Sequence, residues 1–426
     1  MRMAAFLIGT WAFSFPHQET EITARLKDLG SADVRTVYRA VERLTQLGDA
    51  ALPALDAHLR QAARPVRPYV ELALQEIGAG RSQPDYPKAR RHSLKSSDKN
   101  AADLLVDLKS RTGLPLSIES LLDEEKLPEL SLDLRDATPL EAVDAVCKAG
   151  GLTMERDGAR FEIYSGGYPD FPKFFYDHYL FRLETYARTR SVSFRKPLRD
   201  RLRIDLTLLW DSGISPARLL PARLLEAVDE TGKDLIPPPE PAKTDPPAAD
   251  PESSHPPVPE GTGRDSLEIL PPAPKAAKIA RLRGVVPVLH PKARVDVTFK
   301  NPAAGQTKEA GGFHVTLKAI DRENFALDLF ITSKTMKTEE LRTRPVVASL
   351  RLKGQETPRC VASSGVEEGG LRVRVEFVNV RLQREAGVFR LEEPLRAADI
   401  QTFQLTVVTE TVERRVPFEF RDVTVR

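Results

Sequence analysis

The sequence has few cysteines, no long apolar run and almost no net charge. Its two cysteines, Cys147 and Cys360, lie far apart in 426 residues and form neither a disulfide framework nor a zinc site. No apolar stretch reaches the roughly 18 residues that a membrane-spanning helix needs. The 63 basic and 61 acidic residues leave a net charge of +2, which excludes an electrostatic basis for a dedicated DNA-binding protein. Since 41% of the residues are hydrophobic, the chain can build cores, and its length predicts about two to four domains.

Motifs of reaction centres are missing as well. The seven histidines nowhere stand at metal-ligand spacing, and there is no phosphate-binding loop or nucleophile elbow. Asp177 and His178 are neighbours, but adjacent residues of an extended chain point to opposite sides. We therefore expect no catalytic residue, no metal and no cofactor.

Residues 1–14 have the composition of a short secretory signal peptide. One arginine precedes an apolar run over residues 4–11, and Ala12 and Ser14 are the small residues of a cleavage site. The same residues also fit an ordinary first helix. The first interpretation predicts export to the periplasm or another extracytoplasmic site, and the second predicts a cytoplasmic protein.

Residues 15–80 are predicted to be helical. Apolar residues recur there every three or four positions, as on a buried helix face: Val34, Val37, Val41 and Leu44. Residues 81–99 follow as a basic linker rich in serine, proline, lysine and arginine. Such a linker is simply solvated, or it contacts an acidic polymer.

Residues 100–166 show the pattern of a small α+β domain, in the order helix, strand, strand, helix, strand, strand. Leucines alternate with polar residues in the predicted strands. Residues 138–141, Thr-Pro-Leu-Glu, form a capping box with proline in the first turn of the second helix. That helix ends at Gly150, and the turn after Asp157 predicts a closing hairpin.

Residues 167–190 concentrate aromatic side chains that are followed by arginines. In one interpretation this aromatic connector packs between two domains. In the other, its rings stack on bases or sugars, with a binding surface that consists of Phe175, Tyr176, Tyr179 and Arg182.

From residue 191 onward the apolar period becomes two. The alternating segments are 202–208, 295–299, 313–317, 325–331, 371–377 and 416–420. Many short strands with one apolar face are typical of β-sandwiches of the immunoglobulin-like kind. We predict two sandwiches, at 191–303 and 304–426.

A proline-rich insertion interrupts the first predicted sandwich. Residues 237–274 hold 13 of the 34 prolines and have no apolar periodicity, so they cannot form a core. We expect a disordered loop, or a polyproline ligand for a partner.

Three resemblances to known families follow from these segments. The stretch "SADVRTVYRAVERLTQLGDAALPALDAHL" resembles a HEAT-type helical repeat. The stretches "LLVDLKSRTGLPLSI", "LSLDLRDATPLEAVDAVCKAGGL" and "FEIYS" resemble the short N-terminal domain of secretins and TonB-dependent transducers. That resemblance implies a periplasmic protein-interaction module without catalytic residues. The stretches "ARTRSVSFR", "GGFHVTLKAI" and "VPFEFRDV" resemble multidomain proteins of planctomycete-type bacteria, which implies an architecture and no chemistry.

Together these patterns predict a multidomain chain with a helical HEAT-like region, a small α+β domain and an all-β sandwich region. The expected function is that of a non-enzymatic, exported binding or scaffold protein of the cell envelope. Its expected partners are envelope proteins, without specific nucleic acid and without a transmembrane segment. The alternative is an envelope carbohydrate-binding protein or enzyme that uses the aromatic segment 168–186.

Overall fold

A computed structural model describes most of the chain. The described residues are 15–78, 88–118, 121, 127–157, 160–193, 196–211, 213–214, 216–238, 262–321, 326–338, 341, 346–352, 359–367, 370–378, 383–385, 388–390 and 400–425. The predicted signal peptide, the first half of the basic linker and most of the proline-rich insertion lie outside them. None of the described helices has the length and apolar character that crossing a membrane requires.

The described helices are short. They are α1 Phe15–Asp28, α2 Val34–Leu47, α3 Leu52–Gln61, α4 Arg67–Gly78, α5 Ala101–Thr112 and α6 Pro139–Gly150, with a single 3₁₀ turn at Gly48–Ala51. Asp33 caps α2, since its carboxylate accepts hydrogen bonds from the backbone N–H groups of Arg35 and Thr36. The predicted stripe of α2 is fully buried.

The prediction of a HEAT-like repeat region is wrong. The chain is mostly β-structure, with about half of it in strands, and α1–α4 form one small helical layer. That layer shares its core with Leu225 and Val285, which belong to a β-sheet. The sequence pattern misled because an amphipathic helix buries its apolar face equally well against a sheet as against another helix pair.

An α+β unit follows the helical layer. Its strands are β1 His92–Asn100, β2 Leu116–Ser117, β3 Glu129–Ala137, β4 Leu152–Asp157 and β5 Arg160–Ser165. β1 pairs with β3, while β2, β5 and β4 form a second sheet, and α5 and α6 share the unit's apolar core. The capping box is confirmed, since Thr138 and Glu141 each accept a backbone hydrogen bond from the other. The segment expected to be a basic linker holds strand β1.

Two further sheets face each other in the middle of the molecule. The first has the order β11-β8-β7-β6, and its strands are β6 Lys173–Tyr176, β7 Tyr179–Ser193, β8 Lys196–Trp210 and β11 Thr262–Ile269. The second has the order β10-β12-β21-β16, and its strands are β10 Arg223–Asp229, β12 Lys278–Lys300, β16 Val346–Leu352 and β21 Ile400–Thr424, with the short β9 Arg218–Leu219 beside β12. Phe181, Leu206 and Phe418 are among the side chains that form the core between them.

Strands β12 and β21, the shared strand pair, run on into a second sandwich. They pair antiparallel from Lys278 opposite Thr424 to Lys300 opposite Thr402, with an irregularity at residues 291–294. Their far halves face a sheet of order β13-β14-β15-β18-β17. Those strands are β13 Thr307–Ala310, β14 Phe313–Asp321, β15 Ala326–Ser333, β17 Arg359–Glu367 and β18 Gly370–Val378, and a separate hairpin joins β19 Gln383–Glu385 to β20 Val388–Arg390.

The architecture is therefore multi-sheet and mostly antiparallel β, with a short helical portion at the N-terminal side. From the helices inward, the layers are α1–α4, the sheet of β12 and β21, the sheet of β7 and β8, and the α+β unit, which packs on Leu180 and Leu209. The domain boundaries predicted from the sequence stay predictions.

Candidate functional site

The β6–β7 hairpin carries all four residues of the predicted binding surface. Phe175 and Tyr176 lie in β6, and Tyr179 and Arg182 lie in β7. Tyr179, Arg182 and Tyr176 are buried, with exposed fractions of 0%, 5% and 8%, and Phe175 is half-buried. The structure thus brings the four residues together in the interior, where the layers meet.

Asp177 and His178 form the turn of this hairpin. Asp177 has a φ of 54°, a left-handed conformation that aspartate adopts more readily than most residues. His178 Nδ1 lies 2.8 and 2.9 Å from the two carboxylate oxygens of Asp211, and both side chains are buried. The Gly213 N–H donates to the same carboxylate at 2.8 Å. A Cβ at position 213 would lie 2.9 Å from the His178 ring, so this close approach requires glycine.

Tyr179 and His290 form a second buried polar pair, which joins β7 to β12. The Tyr179 Oη and His290 Nε2 atoms are 2.8 Å apart. Burial lowers the pKa of His290 from 6.5 to about 3, and repulsion from Arg414 and His178 adds to the effect. The imidazole is therefore neutral at physiological pH, and its Nε2 accepts the hydrogen bond from the tyrosine hydroxyl.

Arg414 of β21 ties the turn to the second sheet. Its Nη2 donates to the Asp177 carboxylate at 2.8 Å, and the backbone N–H of Ala89 donates to the other oxygen at 2.6 Å. The Tyr176 hydroxyl donates to Glu42 of α2 at 3.3 Å. Burial raises the pKa of Glu42, although the Arg414 charge opposes the shift. The hairpin turn thus bonds to the helical layer and to both sheets.

An ion cluster lies on the opposite side of the hairpin, against α6. Asp144 accepts hydrogen bonds from Lys173 Nζ at 2.6 Å and from the Tyr168 hydroxyl at 2.8 Å. Burial lowers the pKa of Lys173, while its bond to the Asp144 carboxylate opposes the shift. Arg182 Nη1 donates to the carbonyl oxygen of Met154 at 3.1 Å. These contacts fix the α+β unit on the first sheet.

These polar groups bond to one another across layers. In the described part of the chain, no group of three or more His, Cys, Asp or Glu side chains is placed to hold a metal ion. Cys147 is buried, and burial, helped by the Asp144 charge, raises the pKa of its thiol to about 12, so the thiol is protonated at physiological pH. These hydrogen bonds and ion pairs therefore hold the layers of the molecule together.

A depression of about 580 Å³ lies on the second sandwich, far along the chain from the hairpin. Its lining consists of Thr298, Lys300, Gln306, Thr307 and Lys308. It presents ammonium, amide and hydroxyl groups, and none of these lining residues is an acid, an imidazole or a thiol.

Comparisons with family models, with curated proteins and with solved structures found no match.

The family resemblances stated from the sequence are therefore wrong as assignments. No model matches for a HEAT repeat, for the secretin and TonB-dependent N-terminal domain, or for the planctomycete-type group. The local patterns behind them, such as the capping box at Thr138, are real, but helix caps and hairpins occur in many folds.

Sequence reasoning missed most of the polar junction around the hairpin turn. It noted Asp177 and His178 only as neighbours, and their actual partners, Arg414 and Asp211, are 237 and 33 positions away. One signal was present. Polar residues interrupt apolar stretches of the sequence: Asp211 stands directly after β8, and His290 lies near the middle of β12.

Proposed function

We propose that the chain is a non-enzymatic binding or scaffold protein, exported to the cell envelope, that presents surfaces to protein partners at a fixed separation. One observation carries the scaffold role. β12 and β21 pair along almost their whole length, and each contributes to both sandwich cores. A strand of 23 residues spans roughly 75 Å. Because both cores are built on the same two strands, no flexible linker separates them.

The junction around the β6–β7 hairpin supports the same role. Its charged and polar side chains join the helical layer, the two sheets and the α+β unit, as in the bonds of Asp177 with Arg414 and of Tyr176 with Glu42. A spacer benefits from such bonds, because buried polar pairs tolerate only one relative position of the layers.

The fixed separation can be measured between two spin labels. Arg60 of α3 and Lys308 of β13 are exposed and lie on opposite halves of the molecule. Each is replaced by cysteine in a Cys147→Ala, Cys360→Ser background, and the distance distribution is recorded by pulsed electron resonance. The matched control pair, Lys308 and Lys337, lies within the second sandwich. We expect the long distance to be distributed as narrowly as the control, and a broad distribution would contradict the spacer role.

The export part of the proposal is supported by residues 1–14 alone. Mass spectrometry of the native N-terminus tests it: a mature chain that begins near Phe15 supports export, and an intact Met1 contradicts it.

Partner binding is tested on the exposed face of α5. Val106 is 46% exposed there, and Lys109 is an exposed neighbour on the same helix. Deleting residues 100–166 would expose the apolar side chains of Leu180 and Leu209 and could destabilise the rest of the chain. We therefore use point substitutions. In a pull-down from envelope fractions, the wild-type chain should capture a partner that is released when untagged chain is added in excess. We expect Val106→Glu to abolish this capture and Lys109→Glu to leave it unchanged. Equal capture by both variants would contradict a partner site on α5.

A further inference from the structure

Strand β3 of the α+β unit has an open edge. Among the described strands, β1 and β3 form a sheet of two, and β3 has no strand on its other side. The side chains of residues 129–135 alternate between exposed and at least partly buried, up to Asp136, whose φ of 54° interrupts the extended backbone. This stretch contains no proline and no lysine, which commonly keep an edge strand from pairing. Its outward N–H and C=O groups therefore suit pairing with another strand.

The open edge of β1 is different. It carries Lys95 and Lys99, which are both exposed. Its pairing with β3 is irregular between residues 96 and 99, where Asp98 has a φ of 53°. Lysines and irregular backbone protect an edge strand against pairing with another chain. Of the two edges of this sheet, only that of β3 lacks such protection.

The two faces of β3 differ in character. Its three leucines point to one face and pack on the core of the α+β unit: Leu130, Leu132 and Leu134. Its polar residues point to the other face and are exposed: Glu129, Ser131, Asp133 and Arg135. A strand that extends this sheet must therefore present apolar residues on the first face and polar residues on the second.

A second copy of β3 meets this requirement. Antiparallel pairing about a two-fold axis at Leu132 sets this leucine opposite its own copy, and sets Leu130 opposite Leu134 of the second copy. The same register sets Glu129 opposite Arg135 of the second copy, twice in each dimer. Opposite residues of an antiparallel pair lie on the same face, so leucines meet leucines and opposite charges meet each other.

The two neighbouring registers that keep the leucines on one face oppose like charges. With the axis at Ser131, Glu129 lies opposite Asp133 of the second copy. With the axis at Asp133, this carboxylate lies opposite its own copy. Like charges directly opposite each other destabilise a strand pair.

An axis at Leu134 opposes the unlike charges of Asp133 and Arg135, but it sets Leu132 opposite Asp136. Within one chain, Arg135 Nη2 lies 3.2 Å from the Asp133 carboxylate, and the arginine side chain is 83% exposed. Because an exposed pair of this kind contributes little, Arg135 can turn to the second copy at small cost. The axis at Leu132 is therefore the register that matches both the leucines and the charges.

We propose that two copies of the chain form a dimer through β3, with a continuous sheet of four strands, β1 and β3 of each copy. The dimer is closed, because both copies use the same edge and none is left for a third chain. An edge of this length makes a small interface, so we expect a dissociation constant on the order of 10 µM. The sandwiches take no part in the pairing, and the dimer is independent of the scaffold role.

The test is sedimentation velocity of the full chain from about 1 µM to about 200 µM. We expect the wild type to pass from monomer to dimer. E129R opposes two arginines and should raise the dissociation constant about tenfold. The charge swap E129R/R135E opposes unlike charges again and should restore the wild-type value. The matched control is E162R, which reverses an exposed charge on β5 of the same unit and should dimerise like the wild type.

Disulfide cross-linking tests the register in a Cys147→Ala, Cys360→Ser background. Leu132→Cys places two thiols opposite each other at the axis, with the two Cα atoms about 5 Å apart and within reach of a disulfide. Leu134→Cys is the control, since its two copies are about 14 Å apart along the strands and should not cross-link. Circular dichroism melting verifies that every variant is folded. The proposal is overturned if the wild type stays monomeric, if E129R/R135E dimerises no better than E129R, or if Leu134→Cys cross-links as readily as Leu132→Cys.

Discussion

The two sandwiches share β12 and β21, yet they use charge in opposite ways. The first has layers on both outer faces, and its buried polar residues include His178, Arg283 and His290. The second has an interior of apolar side chains, and among the described residues of its core no buried charged residue occurs. A sheet that is covered on its outer face must pair the polar side chains of that face with the covering layer, whereas an uncovered face leaves them in water.

The largest effect is expected in the apolar core of the second sandwich. Phe403 and Phe299 are fully buried, with ring centroids 6.0 Å apart. We expect Phe403→Ala to lower the free energy of unfolding by about 4 kcal/mol, because it removes a large side chain from a packed core. Urea denaturation measures the loss, and hydrogen exchange should place it in β14, β15 and β18. The partly exposed Thr402→Ala is the control, and an equal loss there would show that this core is loosely packed.

A somewhat smaller effect is expected for the buried ion pair under the helical layer. Arg283 donates to Glu419 at 2.9 and 3.1 Å, and to the carbonyl oxygen of Ala32 at 2.9 Å. Arg283→Met should lower the free energy of unfolding by about 3 kcal/mol, because it removes the buried one of the two arginines that bond to the Glu419 carboxylate and leaves only the half-exposed Arg421, at 2.7 Å.

The double variant Arg283→Met, Glu419→Met separates charge from packing. We expect it to be more stable than Arg283→Met alone in the same urea titration. If the double variant is instead less stable than Arg283→Met, the two side chains stabilise the protein by their packing. The difference between the two sandwiches would then not be a difference in buried charge.

The third effect depends on pH and concerns His290. Its pKa is about 3 in the folded protein against 6.5 in the unfolded chain, so the unfolded chain takes up the proton first as the pH falls. The contribution of His290 is therefore complete above pH 6.5 and is lost as the pH falls towards 3. Between pH 7 and pH 4.5 we expect a loss of about 2 kcal/mol.

Carboxylates titrate over the same range, so the comparison is with His290→Gln. The side-chain oxygen of glutamine can still accept a hydrogen bond from the Tyr179 hydroxyl, but glutamine takes up no proton in this pH range. Urea midpoints at both pH values should show a smaller loss in the variant. Parallel pH profiles would mean that His290 is solvated.

The smallest effect is expected on the outer face of the second sandwich. Arg372 Nη2 lies 3.6 Å from Asp328 and the arginine side chain is 55% exposed. Arg372→Met should change the free energy of unfolding by about 0.5 kcal/mol or less, because exposed ion pairs contribute little. A loss as large as that of Arg283→Met would remove the contrast between the sandwiches.

The sequence predicted elements better than their arrangement. The alternation at 202–208, 313–317 and 371–377 predicted strands, and β8, β14 and β18 cover them. Period-two patterns show which side of a strand is apolar but not which strand lies beside it. The pairing of β12 with β21 joins residues more than a hundred positions apart, and no local signal indicates it.

The candidate site shows the same limit. The aromatic pattern singled out Tyr176, Tyr179 and Arg182, and these residues do meet at one place. The partners of the two tyrosines, Glu42 and His290, lie on other layers, so only the packing of those layers reveals that the hydroxyl groups of Tyr176 and Tyr179 are already bonded. The sequence left open whether the aromatic segment 167–190 packs between layers or offers its rings for stacking. The burial of Tyr176, Tyr179 and Arg182 favours packing.

The shared strand pair also constrains the order in which the protein can assemble during synthesis. Residues 416–423 complete the core whose other strands begin at residue 173, and they leave the ribosome after every strand of the second sandwich. Until they emerge, the inner faces of β7 and β8 have no β21 to cover them. Exposed apolar strands of this kind associate readily with other chains. The nascent chain therefore passes through a long aggregation-prone stage, and a holding chaperone should raise its yield more than that of a protein whose sandwiches close one after the other.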